Sequence, residues 1–302
     1  MWLGRNRGYF TDWATQQWVK ATGRMVDLYT HPWLGGPIGK PTGIGANFFE
    51  QLAKEEGLSI EVGTGLVPDF MWLAGERCRV QDVDTSVVHF YEHTAEYELE
   101  AWSEWSGAFR PFGRALALIF SRRLQQLNVP LSGLETSGGI TSEVINLRDR
   151  ETGDVRYTAW VRQLLSTRNV LYAGSYSLCS VPAFSGRCVK VVFPLPNGNA
   201  TVIMYPESHS DSSFSLTSSG KGFGAPGFYF TVHGEKGVWA KYVRSMRESI
   251  RVYPSGAGEV RADHTLRLCG ATFLRLHYRL RHSLQDKTNA ESTARKRSSL
   301  VS

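Results

Sequence analysis

The chain lacks most of the signatures that tie a sequence to a function. No apolar run approaches the roughly 20 residues a helix needs to cross a bilayer. The best stretch, Ala115-Leu116-Ala117-Leu118-Ile119-Phe120, is far too short. The N-terminus, Met1-Trp2-Leu3-Gly4-Arg5-Asn6-Arg7, has no apolar signal region, which points to the cytoplasm. Cys78, Cys179, Cys188 and Cys269 form no CxxC pair, so a structural zinc site is not expected. Cys179 and Cys188 could face each other across a hairpin, and in a cytosolic protein they are expected to be reduced.

Enzyme fingerprints are missing too. The chain has no GxxxxGK[ST], no dinucleotide motif, no GxSxG and no HExxH. The Gly- and Pro-rich stretch 31–45, HPWLGGPIGKPTGIG, offers backbone N–H groups of the kind that cradle oxyanions. No apolar strand leads into it, however, and Lys40-Pro41-Thr42 breaks the order a phosphate loop needs. It reads as a plain loop.

What is present is core-forming material. The 302 residues are 42% hydrophobic and 12% aromatic, which supports a sizeable core and excludes global disorder. The net charge of +6 lies partly in Arg295-Lys296-Arg297 of the Ser/Thr/Asn-rich tail. That tail, 283–302, reads as a solubilising disordered segment, not as a specific nucleic-acid site.

Val144 to Leu280 is a run of short alternating segments with turns between them. Val144–Leu147 and Val155–Leu165 flank a polar turn and predict a hairpin. Val170–Cys179, Arg187–Phe193, Ala200–Tyr205, Phe214–Ser218 and Phe228–Val232 extend the series. Asn197-Gly198 supplies a turn that tolerates positive φ. Val260–Leu280 is broken at Cys269-Gly270-Ala271. Strands at this spacing leave no room for crossover helices, so the sheet is antiparallel.

Glu96, Glu98 and Glu100 alternate with Tyr97, Leu99 and Ala101, which is the period of a strand. Arg275, His277, Arg279 and Arg281 alternate in the same way with Leu274, Leu276, Tyr278 and Leu280. The inference is that these strands are neighbours with Glu opposite Arg, which would close the sheet on itself; the alternative is that each charged face simply meets water, where such pairs contribute little. Helices are expected at Asp12–Thr22 (capped by Thr11, ended by Gly23), Ala46–Glu56 (ended by Gly57), Asp84–Thr94 and Pro111–Leu127. Trp239, Tyr242, Val243, Met246 and Ile250 also fit helical spacing, so Val238–Ile250 is ambiguous and would carry a helix across the sheet.

The expected class is α+β. A large antiparallel β-meander, curled or closed into a barrel and helix-grip-like or lipocalin-like, is covered by one or two helices. Residues 1–83 form an irregular N-terminal extension with two short helices, and 84–282 form the β-rich domain. Such a sheet can leave a cavity for an apolar small molecule. The candidate ligand-binding residues are His89, His93, Glu98, Trp160 and His264, with no catalytic residue, metal or cofactor assigned. His89 and His93 share a helix face, but no third metal ligand is identifiable, so they read as packing residues. Asp263 and His264 are adjacent on a strand and point to opposite faces, so they cannot form a dyad directly. A binding module ranks first, an interaction scaffold second and an enzyme on a hydrophobic substrate third. A binder predicts an apolar cavity without convergent titratable groups. An enzyme predicts two such groups within reach inside it, and a scaffold predicts a filled interior. The oligomeric state is not legible.

Four stretches carry a resemblance: Val88-His89-Phe90-Tyr91-Glu92-His93-Thr94, Val191-Val192-Phe193-Pro194-Leu195-Pro196, Pro226-Gly227-Phe228-Tyr229-Phe230 and Gly270 to Tyr278. Their order and spacing over residues 85–282 resemble the soluble C-terminal part of YndJ-like bacterial proteins. The resemblance implies a bacterial module. That family is uncharacterised and supplies no catalytic residues to carry over, and its members have membrane spans that this chain lacks.

Overall fold

Alternating burial builds the scaffold. A computed structural model describes residues 9–40, 44, 47–106, 140–165, 170–256 and 259–283. The helix expected at Pro111–Leu127 and the tail beyond Ser283 lie outside the described residues. Among those described are three helices, α1 (Phe10–Thr22), α2 (Phe48–Glu56) and α3 (Thr85–Glu92). The first strands are β1 (Arg24–Val26), β2 (Ser59–Val62), β3 (Tyr97–Trp105), β4 (Ile140–Arg148), β5 (Val155–Leu164), β6 (Val170–Cys179) and β7 (Cys188–Leu195). β8 (Gly198–Ser208), β9 (Phe214–Thr217), β10 (Gly227–Gly234), β11 (Gly237–Tyr242), β12 (Met246–Pro254), β13 (Val260–Leu268) and β14 (Ala271–His282) follow.

The strands join in the order β2-β4-β5-β6-β7-β8-β9-β12-β13-β14-β3, with antiparallel ladders. The sheet forks at β8. Gly198–Ile203 pairs with β10, whereas Tyr205–Ser208 pairs with β9. The β10 branch continues through β11 to β1. At the β7–β8 turn Asn197 adopts φ 59°. Gly198 is required there for a different reason, because a Cβ would lie 2.0 Å from the Thr231 carbonyl oxygen.

The Glu strand and the Arg strand are neighbours, as their alternation implies. Glu100 lies opposite Arg279, and Glu98 opposite Arg281. The inference that this pairing closes the sheet is corrected. Among the described residues β3 ladders only with β14 and forms one edge of a curled, unclosed sheet. The edge of β4 that β3 would need is occupied by β2 over Ile145–Arg148, and the Gly63 N–H takes the Val144 carbonyl (2.8 Å). A further correction concerns Val238–Ile250, which forms β11 and β12 and no helix. The helical spacing arises because a turn at Val243–Ser245 shifts the strand phase between Tyr242 and Met246.

The Phe48–Glu56 helix and the Pro32–Leu34 turn cover the outer face, whereas α1 packs on the cavity side. On α2, Phe48, Phe49 and Leu52 pack on Leu147, Ala159 and Ala173, and Gly57 ends the helix at φ 67°. Trp33 and Leu34 cover Ile203 and Tyr229. The α1 helix starts at Phe10 after Tyr9, so Thr11 is not its cap. Its Trp18 meets Phe230 edge-on at 6.0 Å. The inner face holds the main core, with Leu99, Val144, Trp160, Val202 and Leu280 packed with Val87, Phe90 and Tyr91 of α3. Asp84 caps α3 by accepting from the Ser86 N–H (2.9 Å).

Candidate functional site

Curling the sheet leaves a hollow of about 450 Å³ between α3 and α1. Its walls come from inward residues of β5 to β8 and β12 to β14, including Val202, Met204, Ile250, Ala262 and Leu276, with Phe90 and Tyr91 of α3. The apolar lining follows from strand alternation, because every second side chain faces inward.

A polar cluster interrupts this lining. Glu248 Oε1 lies 2.6 Å from His264 Nε2, with the two side chains only 12% and 14% exposed. The contact is off the direction of a well-aligned hydrogen bond, so it acts as a close charge–imidazole pair. Arg162 is 7% exposed. Its guanidinium lies 3.6 Å from the Trp160 ring centre, 4.6 Å from that of Tyr172 and 5.3 Å from that of Tyr278. Aromatic faces are favourable surroundings for a desolvated guanidinium, yet Arg162 Nε has no hydrogen-bond partner among the described residues. The Tyr172 and Tyr176 hydroxyls meet at 2.6 Å. Burial raises both phenol pKa values, and that of Tyr278, above the ordinary range, so these groups stay neutral hydrogen-bonding hydroxyls.

The structure separates the five sequence candidates into three places. Trp160 and His264 line the cavity, and the Trp160 N–H donates to Ser142 Oγ (2.8 Å). Glu98 faces outward, exposed, on β3. His89 and His93 project from α3 outside the cavity lining, with rings stacked at 4.4 Å between centres. As expected, Asp263 and His264 point to opposite faces. Asp263 meets His277 Nδ1 at 2.6 Å, away from the cavity.

Around His89 and His93 a second cluster forms. Glu96, in the 3-10 turn Thr94–Glu96 after α3, brings Oε1 to 3.4 Å from His93 Nδ1 and Oε2 to 3.9 Å from His89 Nε2. His282 Nε2 lies 2.9 Å from Glu96 Oε2. That hydrogen bond, ahead of the charges of the other imidazoles, holds the Glu96 pKa below its ordinary value. Burial first, then the charge of His93, holds the His89 pKa below its own.

Sequence reasoning missed Arg162, Glu248 and Glu96. Arg162 had a usable signal, because it sits two residues from Trp160 on one strand and therefore on the same face. Glu248 was hidden by the ambiguous helical spacing, and Glu96 by its assignment to the strand.

No family model matches the chain, and no solved structure matches it. No helix among the described residues is long and apolar enough to cross a membrane. The chain is 27% identical over 228 residues to the uncharacterized membrane protein YndJ of Bacillus subtilis (strain 168), a match spanning 72% of this chain and 38% of that protein. The chain is thus similar to a YndJ protein, over well under half of that relative's length.

Proposed function

We propose that this protein is a module that binds an apolar small molecule in the hollow of its curled sheet. The observation that carries the reading is the cavity of about 450 Å³, within the roughly 300–1,000 Å³ of small-molecule sites. Its apolar walls would take the body of the ligand. Arg162, Glu248 and His264, with the neutral tyrosine hydroxyls, would orient one polar end. A filled interior, the mark of a scaffold, does not match the cavity. In this reading the chain corresponds to the soluble C-terminal part of YndJ-like proteins and works in the cytoplasm.

A second reading is favoured by one observation. The 2.6 Å His264–Glu248 contact inside the cavity is the kind of carboxylate–imidazole pair that performs proton transfer, so an enzyme acting on a hydrophobic substrate would use it.

Titration of the full chain with anilinonaphthalene sulfonate, an apolar dye with one anionic end, tests the binding reading. Saturable binding at one site, displaced by a medium-chain fatty acid and abolished by Ala262→Trp, is expected. Absence of saturable binding, or binding unchanged by a folded Ala262→Trp variant, would contradict it.

A further inference from the structure

We propose that His89, His93 and Glu96 form a binding site for a divalent transition-metal ion of the Zn²⁺ class, outside the cavity. Two imidazoles and a carboxylate are a donor set suited to such an ion, with at least one coordination position left open. One ligand atom from each of the three side chains lies within 4.8 Å of the others. Donors at about 2.0–2.2 Å from a tetrahedral ion stand roughly 3.3–3.6 Å apart. Glu96 Oε1 stands 3.4 Å from His93 Nδ1 and Oε2 3.9 Å from His89 Nε2, so side-chain rotations of these three partly exposed groups would complete the set.

Local structure explains the convergence. His93 is the C-cap residue of α3, four residues after His89, and its N–H donates to the His89 carbonyl, which stacks the two rings one above the other. The 3-10 turn then folds the chain back so that Glu96 points at both rings. His89 Nδ1 lies 3.0 Å from the Tyr97 hydroxyl. Donating its proton there leaves Nε2 as the bare lone pair, which is how a ligating imidazole is usually oriented. Without an ion, three imidazoles (His89, His93 and His282) share one carboxylate. The three donor side chains are 41% to 48% exposed, so an ion can enter without opening the fold.

His282, at the end of β14, acts on the Glu96 carboxylate as a positioning residue. The ion would therefore clip α3 to the β3–β14 edge of the sheet. Phe90 and Tyr91 of the same helix line the cavity, so the clip would also steady one end of the hollow.

The test is calorimetric titration of the chelator-treated full chain with Zn²⁺, with Co²⁺ absorption as the spectroscopic readout. One ion per chain is expected, together with the intense visible bands of tetrahedral Co²⁺ and a rise in thermal midpoint on Zn²⁺ addition. His89→Ala/His93→Ala should abolish uptake. His93→Gln and Glu96→Gln each give a second route to the same result should the double variant not fold, and each should weaken binding at least about tenfold. His282→Ala should weaken it about tenfold at unchanged stoichiometry. His31→Ala, at an imidazole elsewhere on the surface, should leave it intact. Absence of saturable uptake by the wild-type chain would overturn the proposal, as would uptake that survives in folded variants of His93 and Glu96.

Discussion

Glu248 Oε1 lies 2.6 Å from His264 Nε2 across the β12–β13 ladder, inside a cavity whose lining is otherwise largely apolar. Removing one member of a buried pair leaves the other desolvated and uncompensated, whereas removing both removes the desolvation cost as well. Glu248→Ala should therefore cost about 3 kcal/mol in chemical denaturation. The Glu248→Leu/His264→Leu double variant should cost less than either single change. Additive losses would show that the contact carries no coupling.

Arg162 should separate stability from binding. Arg162→Met replaces the guanidinium that lies over Trp160 and Tyr172 with a shorter, unbranched apolar side chain. Replacing a buried charge by an apolar side chain of similar size is often neutral or stabilising, so the midpoint of unfolding should hold or rise. Affinity for the anionic dye should fall at least about tenfold, a loss of roughly 1.4 kcal/mol. Equal losses of stability and binding would mean that Arg162 is structural.

Adjacent residues of β3 should behave in opposite ways. Glu100 is exposed and pairs with Arg279 (3.9 Å) and with Arg281. Exposed pairs contribute little, so Glu100→Ala should cost under about 1 kcal/mol, less still in high salt. Leu99 is 6% exposed on the inner face, and Leu99→Ala should cost about 2–4 kcal/mol whatever the salt. Denaturation curves at two ionic strengths decide it.

These contrasts mark what was legible in the sequence. Period-two alternation of Glu96–Glu100 and of Arg275–Arg281 was enough to pair β3 with β14, because charge and face were encoded together. The β4–β5 hairpin and the Asn197 turn were legible from local chemistry. Closure was not, because it turned on β2, which holds the β4 edge over Ile145–Arg148. The Arg162–Glu248–His264 cluster was not either. Its members lie on β5, β12 and β13, and only the curl of the sheet faces them into one hollow. The His89–His93–Glu96 spacing is present in the sequence, but these residues form a cluster because Glu96 falls in a turn and not on the strand.

His233, on β10, should make stability pH-dependent. Burial holds its imidazole below the ordinary value of 6.5. The unfolded chain then binds the proton more readily, so this contribution is complete above about pH 6.5 and is lost as pH falls through the folded value. His233→Gln should flatten that part of the stability curve relative to wild type. Curves that stay parallel through this range would contradict it.

Native mass spectrometry of the protein purified gently from its own cells, followed by mild denaturation, tests the binding account most directly. The account predicts an extra mass on the folded chain that leaves on unfolding as an apolar small molecule. It also predicts that Ala262→Trp, purified in the same way, carries no such mass. A folded wild-type chain with no added mass, and no saturable uptake of the dye or of a fatty acid, would contradict it.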